Sequence, residues 1–160
     1  MNFRIGFGYD VHELKEGHEL IIGSIAIPHR KGAVGHSDAD VLIHAICDAL
    51  LGAAALGDIG LHFPDTAPEY KNIDSTILLK NTVDLIHGKG YRIGNIDTSI
   101  CLQAPRIAPY IPDMISSLSK VMEINVNNLS IKATTTEKLG FIGREEGVAA
   151  YAVALLKYAE

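Results

Sequence analysis

Ser37-Asp38-Ala39-Asp40-Val41-Leu42-Ile43-His44-Ala45-Ile46-Cys47-Asp48-Ala49-Leu50-Leu51-Gly52 is the segment around which the rest of the chain can be assembled. Ser37, followed three residues later by Asp40, resembles a capping box with Asp in place of Glu, and an apolar run follows. The spacing therefore predicts a helix over about 38–56. Asp40, His44 and Asp48 recur every four residues, setting a polar stripe on an otherwise Ala/Leu/Ile helix. That stripe must face something polar.

Before this helix, 2–12 mixes β-formers with Gly6 and Gly8, and a second extended run covers 19–27, so the two read as an antiparallel strand pair. The intervening 28–35, rich in glycine and without a period, reads as a mobile surface loop. After the helix, Gly57-Asp58-Ile59-Gly60 is a stop, and 63–68 holds too many turn residues for regular structure. Asp74 can cap a helix to about His87, 91–103 alternates as a strand, and 109–123 reads as a third helix. The β-branched run in 129–136 predicts a strand, 140–143 a turn, and the Ala/Leu/Val-rich 145–158 a final helix. The sum is one α+β domain over 1–160, with a mixed sheet of about four strands and helices packed on one face. Strands apolar on both sides imply burial of the other face by self-association.

The chain of 160 residues is long enough for one core, and its 48% hydrophobic and 21% charged content is that of a globular protein. A formal net charge of -5 argues against nucleic acid, whose binding needs clustered Lys and Arg. It leaves room for a small phosphorylated ligand, which a few cations, backbone amides or a metal can hold. Cys47 and Cys101 form no C-x-x-C pattern and read as reduced buried thiols. No signal-like or membrane-spanning run is visible, so a bacterial cytoplasmic location is expected, or a plastid-type organelle after removal of a transit peptide.

Three clusters can carry chemistry. Asp10 and His12, two apart, leave the same face of a strand roughly 6 to 7 Å apart along the backbone, and His44 can arrive from the helix. Two imidazoles and one carboxylate could hold a divalent metal with positions left open, and Asp40 and Asp48 could accept the His44 N–H turned away from it. The competing reading gives Asp10 and His12 hydrogen bonds to a loop and makes His44 a satisfied core residue. His36-Ser37 lies at a helix N-terminus, where backbone amides attract phosphate oxygens, although Ser37 can simply be a cap. Ala133-Thr134-Thr135-Thr136-Glu137-Lys138 ends a strand with hydroxyls, a carboxylate and an ammonium, a set that suits phosphate with Mg²⁺ or merely an exposed strand.

Taken together, Asp10-x-His12, His36-Ser37-Asp38-x-Asp40, His44, Gly57-Asp58-Ile59-Gly60, Phe63-Pro64-Asp65-Thr66, Gln103-Ala104-Pro105 and Ala133 through Phe141 resemble the 2-C-methyl-D-erythritol 2,4-cyclodiphosphate synthase family from the first strand to the last helix. The resemblance implies a homotrimer with sheets inward and active sites between adjacent subunits. It implies conversion of 4-diphosphocytidyl-2-C-methyl-D-erythritol 2-phosphate to the cyclic diphosphate with loss of CMP, in the non-mevalonate route to isoprenoid precursors. It assigns Asp10, His12 and His44 to zinc or another divalent transition metal, and Glu137 to Mg²⁺ or Mn²⁺. Asp58, Gly60 and Asp65 fall where the family holds methylerythritol, beside Ile59 and Phe63, and Val11, Ser37, Pro64, Thr66 and Ala67 fall among the substrate-binding positions.

The nucleotide side, received from the neighbouring subunit, falls on Leu102, Gln103, Ala104, Pro105, Arg106, Ile107 and Ala108 with Ala133 and Thr134, and Thr136 adjoins it. His36 and Thr135 match the phosphate-stabilising catalytic positions, and Phe141 and Arg144 match the trimer axis, where some members bind isoprenoid diphosphates. Arg106 stands where bacterial members carry Lys, so a planar fork replaces a point charge. The implied chemistry is attack of the 2-phosphate on the β-phosphorus, with the 28–37 loop closing out water. A zinc-dependent phosphohydrolase, and a non-catalytic trimeric metal- or ligand-binding protein, are the alternatives.

Overall fold

The computed structural model describes residues 3–64, 66–70 and 72–159. Its elements are β1 (Phe3–Glu16), β2 (Leu20–Ile22), β3 (Ile25–Ile27), β4 (Lys31–Val34), α1 (Val41–Ala53), α2 (Ile59–His62), α3 (Ser75–Gly88), β5 (Tyr91–Cys101), α4 (Ile111–Met122), β6 (Leu129–Thr134), α5 (Gly140–Gly143) and β7 (Gly147–Tyr158). Five strands form one sheet in the order β4-β1-β7-β5-β6, and β2 and β3 pair only with each other. All neighbours in the large sheet are antiparallel except β5 and β6, so the sheet is mixed.

Alternation along β1 decides which side faces the helices. Gly6, Gly8, Asp10, His12 and Leu14 share one face, while Phe3, Ile5, Phe7, Tyr9 and Val11 share the other. Helix α1 lies on the first face with its backbone against the strand: a Cβ at Gly6 would meet the Ala49 carbonyl oxygen at 1.9 Å, and one at Gly8 the Ala45 carbonyl oxygen at 1.9 Å. On the adjacent β7, Ala150, Ala152 and Ala154 are likewise small and buried. The apolar side of α1 (Leu42, Ile43, Ile46, Leu50) then joins Leu79 and Ile86 of α3 and Met114 and Leu118 of α4 in a core of fully buried side chains. Each such Leu or Ile contributes on the order of 1.5–3 kcal/mol by leaving water. Among the described residues the opposite face is left open: Ile5 and Phe7 are 64% and 63% exposed there, and Tyr151 lies tilted against Phe7 and Tyr9 at ring distances of 6.3 and 5.0 Å.

Several expectations are corrected. The predicted helix over 145–158 is the strand β7, paired with β1 on one side and β5 on the other. Its alanines are there because α1 needs a low surface, and two-sided pairing overrides their helix propensity. The run 19–27 does not pair with the first strand; it folds on itself as β2 and β3. Part of the expected loop 28–35 is β4, which pairs with Glu13–Glu16. The helix expected over 38–56 is shorter, and its cap is Asp40, whose carboxylate accepts from the Ile43 N–H at 3.1 Å; Ser37 accepts instead from the Ala39 N–H at 3.2 Å, ahead of the helix. The expected turn 140–143 is the short helix α5. The Asp74 cap of α3 and the third helix stand, and the sheet has five strands rather than about four.

Candidate active site

Two positions on β1 and one on α1 converge. Asp10 Oδ2 lies 2.9 Å from His12 Nε2 and 3.0 Å from His44 Nδ1, and the two imidazole nitrogens are 3.1 Å apart. Donors about 2.0 Å from one tetrahedral ion would be about 3.3 Å apart, so this set fits a divalent metal with little adjustment. Two imidazole nitrogens facing each other beside a carboxylate must share a proton or a cation. Burial raises the Asp10 carboxyl, but hydrogen bonds from His12 and His44, with their charge, outweigh it and bring it down to about 2. Burial lowers His44, yet the hydrogen bond and charge of Asp10, helped by Asp40 and Asp38, leave it raised. The charges thus favour an anion at Asp10 with a cation at its side.

The outer partners of His44 differ from those expected. Asp40 is wholly buried and accepts from the backbone N–H groups of Gly23 (3.0 Å), Ser24 (2.7 Å) and Ile43, not from the imidazole. Burial pushes its carboxyl up to about 6, against the lowering effect of those three donors. Asp48 accepts from the Ile59 N–H at 2.8 Å and so holds the start of α2. Four-residue spacing put all three on one stripe, but the cap turns Asp40 back over the helix end and Asp48 reaches outward to the next loop. His44 Nε2 lies instead 3.1 Å from Ser37 Oγ and 3.0 Å from Ser75 Oγ. With the helix starting at Val41, His36 and Ser37 sit in the loop before it rather than on its first turn.

A cavity of about 350 Å³ opens beside the trio, lined by His12, His36, Ser37 and His44 together with Ile59, Gly60, Phe63 and Pro64. Tyr70, Ile73 and Leu78 complete it, and Tyr70 meets the Phe63 ring edge-on at 5.7 Å. Of the other expected neighbours, Asp58 caps α2 by accepting from the Leu61 N–H at 2.9 Å. Thr66 and Ala67 lie in the turn that follows, where the Ala67 N–H donates to the Pro64 carbonyl at 3.0 Å. Asp65 lies outside the described residues. Val11 points from the opposite face of β1, away from the trio.

A second cavity of about 380 Å³ lies at the ends of β5 and β6, lined by Leu102, Gln103, Pro105, Arg106, Ile107, Ala108, Ala133, Thr134 and Thr135. Ala104 precedes Pro105 through a cis peptide bond. Glu137 and Lys138 both have left-handed backbones, at φ 53° and 64°. The turn is held by side chains: Thr135 Oγ1 accepts from the Glu137 N–H at 3.2 Å, Gln103 Oε1 from the Lys138 N–H at 3.1 Å, and Thr136 Oγ1 donates to the Leu139 carbonyl at 2.7 Å. Among the described residues none lines both cavities, and Glu137 is not part of the Asp10, His12, His44 group. Phe141 is exposed beside Gly147, and Arg144 pairs with Glu146 through two bonds of 2.9 and 3.0 Å.

A profile of the YgbB family matches residues 3–157. The chain belongs to the YgbB family. It is 63% identical over 156 residues to the 2-C-methyl-D-erythritol 2,4-cyclodiphosphate synthase of Bacteroides fragilis, covering 98% of each chain. Among solved structures it resembles the bifunctional IspDF of Campylobacter jejuni (TM-score 0.95, 41% identity), covering 99% of this chain and 43% of that one. It also resembles the CDP complex of Plasmodium falciparum IspF (TM-score 0.87, 35% identity), covering 99% of this chain and 98% of that one.

Within this YgbB chain, sequence reasoning passed over Tyr70, Ile73 and Leu78, which wall the first cavity from a segment whose spacing signals only the start of a helix. It also passed over Ser75 beside His44, where Asp74-Ser75 signals only a helix cap, and over Gln103 as a brace. Cys47 is a buried free thiol, pushed up to about 12 by burial, and Cys101 a half-buried one. Among the described residues no helix is long and apolar enough to cross a membrane.

Proposed function

We propose that this chain converts 4-diphosphocytidyl-2-C-methyl-D-erythritol 2-phosphate to 2-C-methyl-D-erythritol 2,4-cyclodiphosphate with release of CMP, a step toward isoprenoid precursors. The observation that carries the reading is the convergence of Asp10, His12 and His44 at the wall of a cavity, in a chain 63% identical to a bacterial synthase of that name. An oxygen of the 2-phosphate bonds to the β-phosphorus, the bond from that phosphorus to the bridging oxygen breaks, and CMP carries that oxygen away. The nucleophile is already an anion, so no side chain has to remove a proton, and positioning with charge neutralisation dominates.

Asp10, His12 and His44 are the residues that would hold zinc, and Glu137 the one that would hold magnesium. Bound there, the ions supply Lewis-acid polarisation and screening of the diphosphate charge. The protein's own residues orient the substrate. Asp58, Gly60 and Asp65 hold the methylerythritol hydroxyls, while Ile59, Phe63 and Pro64 pack its carbons and keep water out. His36 and Thr135 direct hydrogen bonds at phosphate oxygens, and the loop from Leu102 to Ala108, with Ala133 and Thr134, receives the cytidine.

The bare aromatic face of the sheet supports a homotrimer with its sheets inward. Such an assembly would set the nucleotide loops of one subunit against the metal side of the next, which accounts for two cavities with no shared wall in one chain. Phe141 and Arg144 would then line the axis, where an isoprenoid diphosphate would compete with Glu146 for the guanidinium. The reading places one domain over 1–160 in the bacterial cytoplasm. Phosphorus NMR of the reaction with zinc and Mg²⁺ should yield the cyclic diphosphate and CMP; linear phosphates alone would mean a water-consuming phosphohydrolase instead.

A further inference from the structure

Ser75 is 0% exposed and stands on the first turn of α3, facing the ring edge of His44 that points away from Asp10 and His12. Three facts fix what its hydroxyl can do. The Asp38 carboxylate accepts from the Ser75 N–H at 3.0 Å and from the Asp40 N–H at 3.2 Å, so its oxygens are aimed at donors. The Ser75 hydroxyl donates to Asp38 Oδ1 as well. Ser75 Oγ is left with lone pairs only for His44 Nε2, 3.0 Å away.

Resting on the metal assignment above, we infer that Asp38 and Ser75 are positioning residues that select the nitrogen through which His44 donates. A hydroxyl locked as an acceptor requires a hydrogen on Nε2, which leaves the Nδ1 lone pair facing Asp10 Oδ2 at 3.0 Å and His12 Nε2 at 3.1 Å. Ser37 Oγ, 3.1 Å from the same Nε2, accepts a backbone N–H from Ala39, and among the described residues no carboxylate fixes its proton, so it can accompany either tautomer. The selection therefore comes through Ser75. The Asp38 N–H also donates to the Ile73 carbonyl at 3.2 Å, so the same residue ties the segment entering α1 to the start of α3 and keeps the serine from drifting away.

The test uses the full-length protein loaded with zinc, with nitrogen-15 spectra of the histidine rings and a chelator competition for zinc affinity. In the unmodified protein His44 should be bound through Nδ1, with a slowly exchanging hydrogen on Nε2. Binding through Nε2 would overturn the inference, and this measurement needs no variant. Ser75→Ala should weaken zinc binding about 10-fold and speed exchange of the ring hydrogen, and Ser75→Thr, which keeps the hydroxyl, should restore both. If Ser75→Ala binds zinc as tightly with the same exchange rate, the inference fails while the metal reading stands. If the unmodified protein takes up no zinc at the trio, the metal reading itself fails and takes the inference with it.

Discussion

The Asp10, His12, His44 trio and the loop that carries Glu137 are built in opposite ways. Asp10 and His12 ride on a strand paired along its length, and His44 on a helix seated on that strand, so backbone hydrogen bonds and core packing set the three donor atoms. At the ends of β5 and β6 the chain is exposed, two consecutive residues take left-handed backbones, and single side chains hold the turn. A site that gathers two imidazoles and a carboxylate within about 3 Å is served by a stiff frame, which holds the donors in place whether a proton or an ion lies between them. The proposed nucleotide site, which would have to admit and release its ligand, would be served by loops whose braces are individually weak.

The contrast can be broken most severely at the trio. His44→Ala should lower kcat by about 10³-fold or more, as loss of several kcal/mol of charge stabilisation requires, and metal analysis should find the ion gone. A smaller loss would mean that the frame, not the donors, carries the rate. Next is the frame: Gly8→Val puts a side chain where the Ala45 carbonyl oxygen already lies 1.9 Å from an ideal Cβ. It should destabilise by about 3 kcal/mol in urea unfolding, and an unchanged midpoint would show that α1 can lift off the sheet.

The third comparison is one of pH in metal-free protein. Asp10 is lowered from 3.8 to about 2, so its contribution is present above pH 3.8 and fades as pH falls through about 2. His44 is raised above 6.5, so its contribution is present below 6.5 and fades as pH rises through the higher folded value. The stability gap between the unmodified protein and Asp10→Asn should therefore be widest between about pH 4 and 6.5, at about 2 kcal/mol, and narrow on either side. A gap that is flat with pH would mean the pair is not coupled. The smallest effect belongs to the loop: Gln103→Ala should cost about 1 kcal/mol of Mg²⁺ affinity in the presence of nucleotide, with zinc content unchanged. Loss of zinc on that change would join two regions that the structure keeps apart.

Legibility followed the same division. The i, i+2 spacing of Asp10 and His12 and the periodic run containing His44 made the three candidate donors, because alternation on a strand and the turn of a helix are local rules, and the family resemblance chose them over the competing reading. The partners of His44 were not legible, since Ser75 reaches it only through the packing of α3 on α1, and Asp40 and Asp48 shared its stripe without sharing its hydrogen bonds. β7 was misread for a related reason. Its alanines satisfy a helix rule locally, while their actual purpose, a low floor for α1, exists only once β1 lies alongside. The hairpin of β2 and β3 failed likewise, because which strands pair is decided by neighbours far along the chain.

Gly6 and Gly8 also determine where this protein can change over time. Any heavier residue there moves the helix that bears His44, so drift and design alike are denied that floor. Phe63, Pro64 and Tyr70, which line the first cavity from short turns with Tyr70 edge-on to Phe63, form a wall outside that glycine–helix contact. A library intended to admit a different polyol phosphate belongs on that wall, and variants recovered from it should keep the spacing of Asp10, His12 and His44 unaltered.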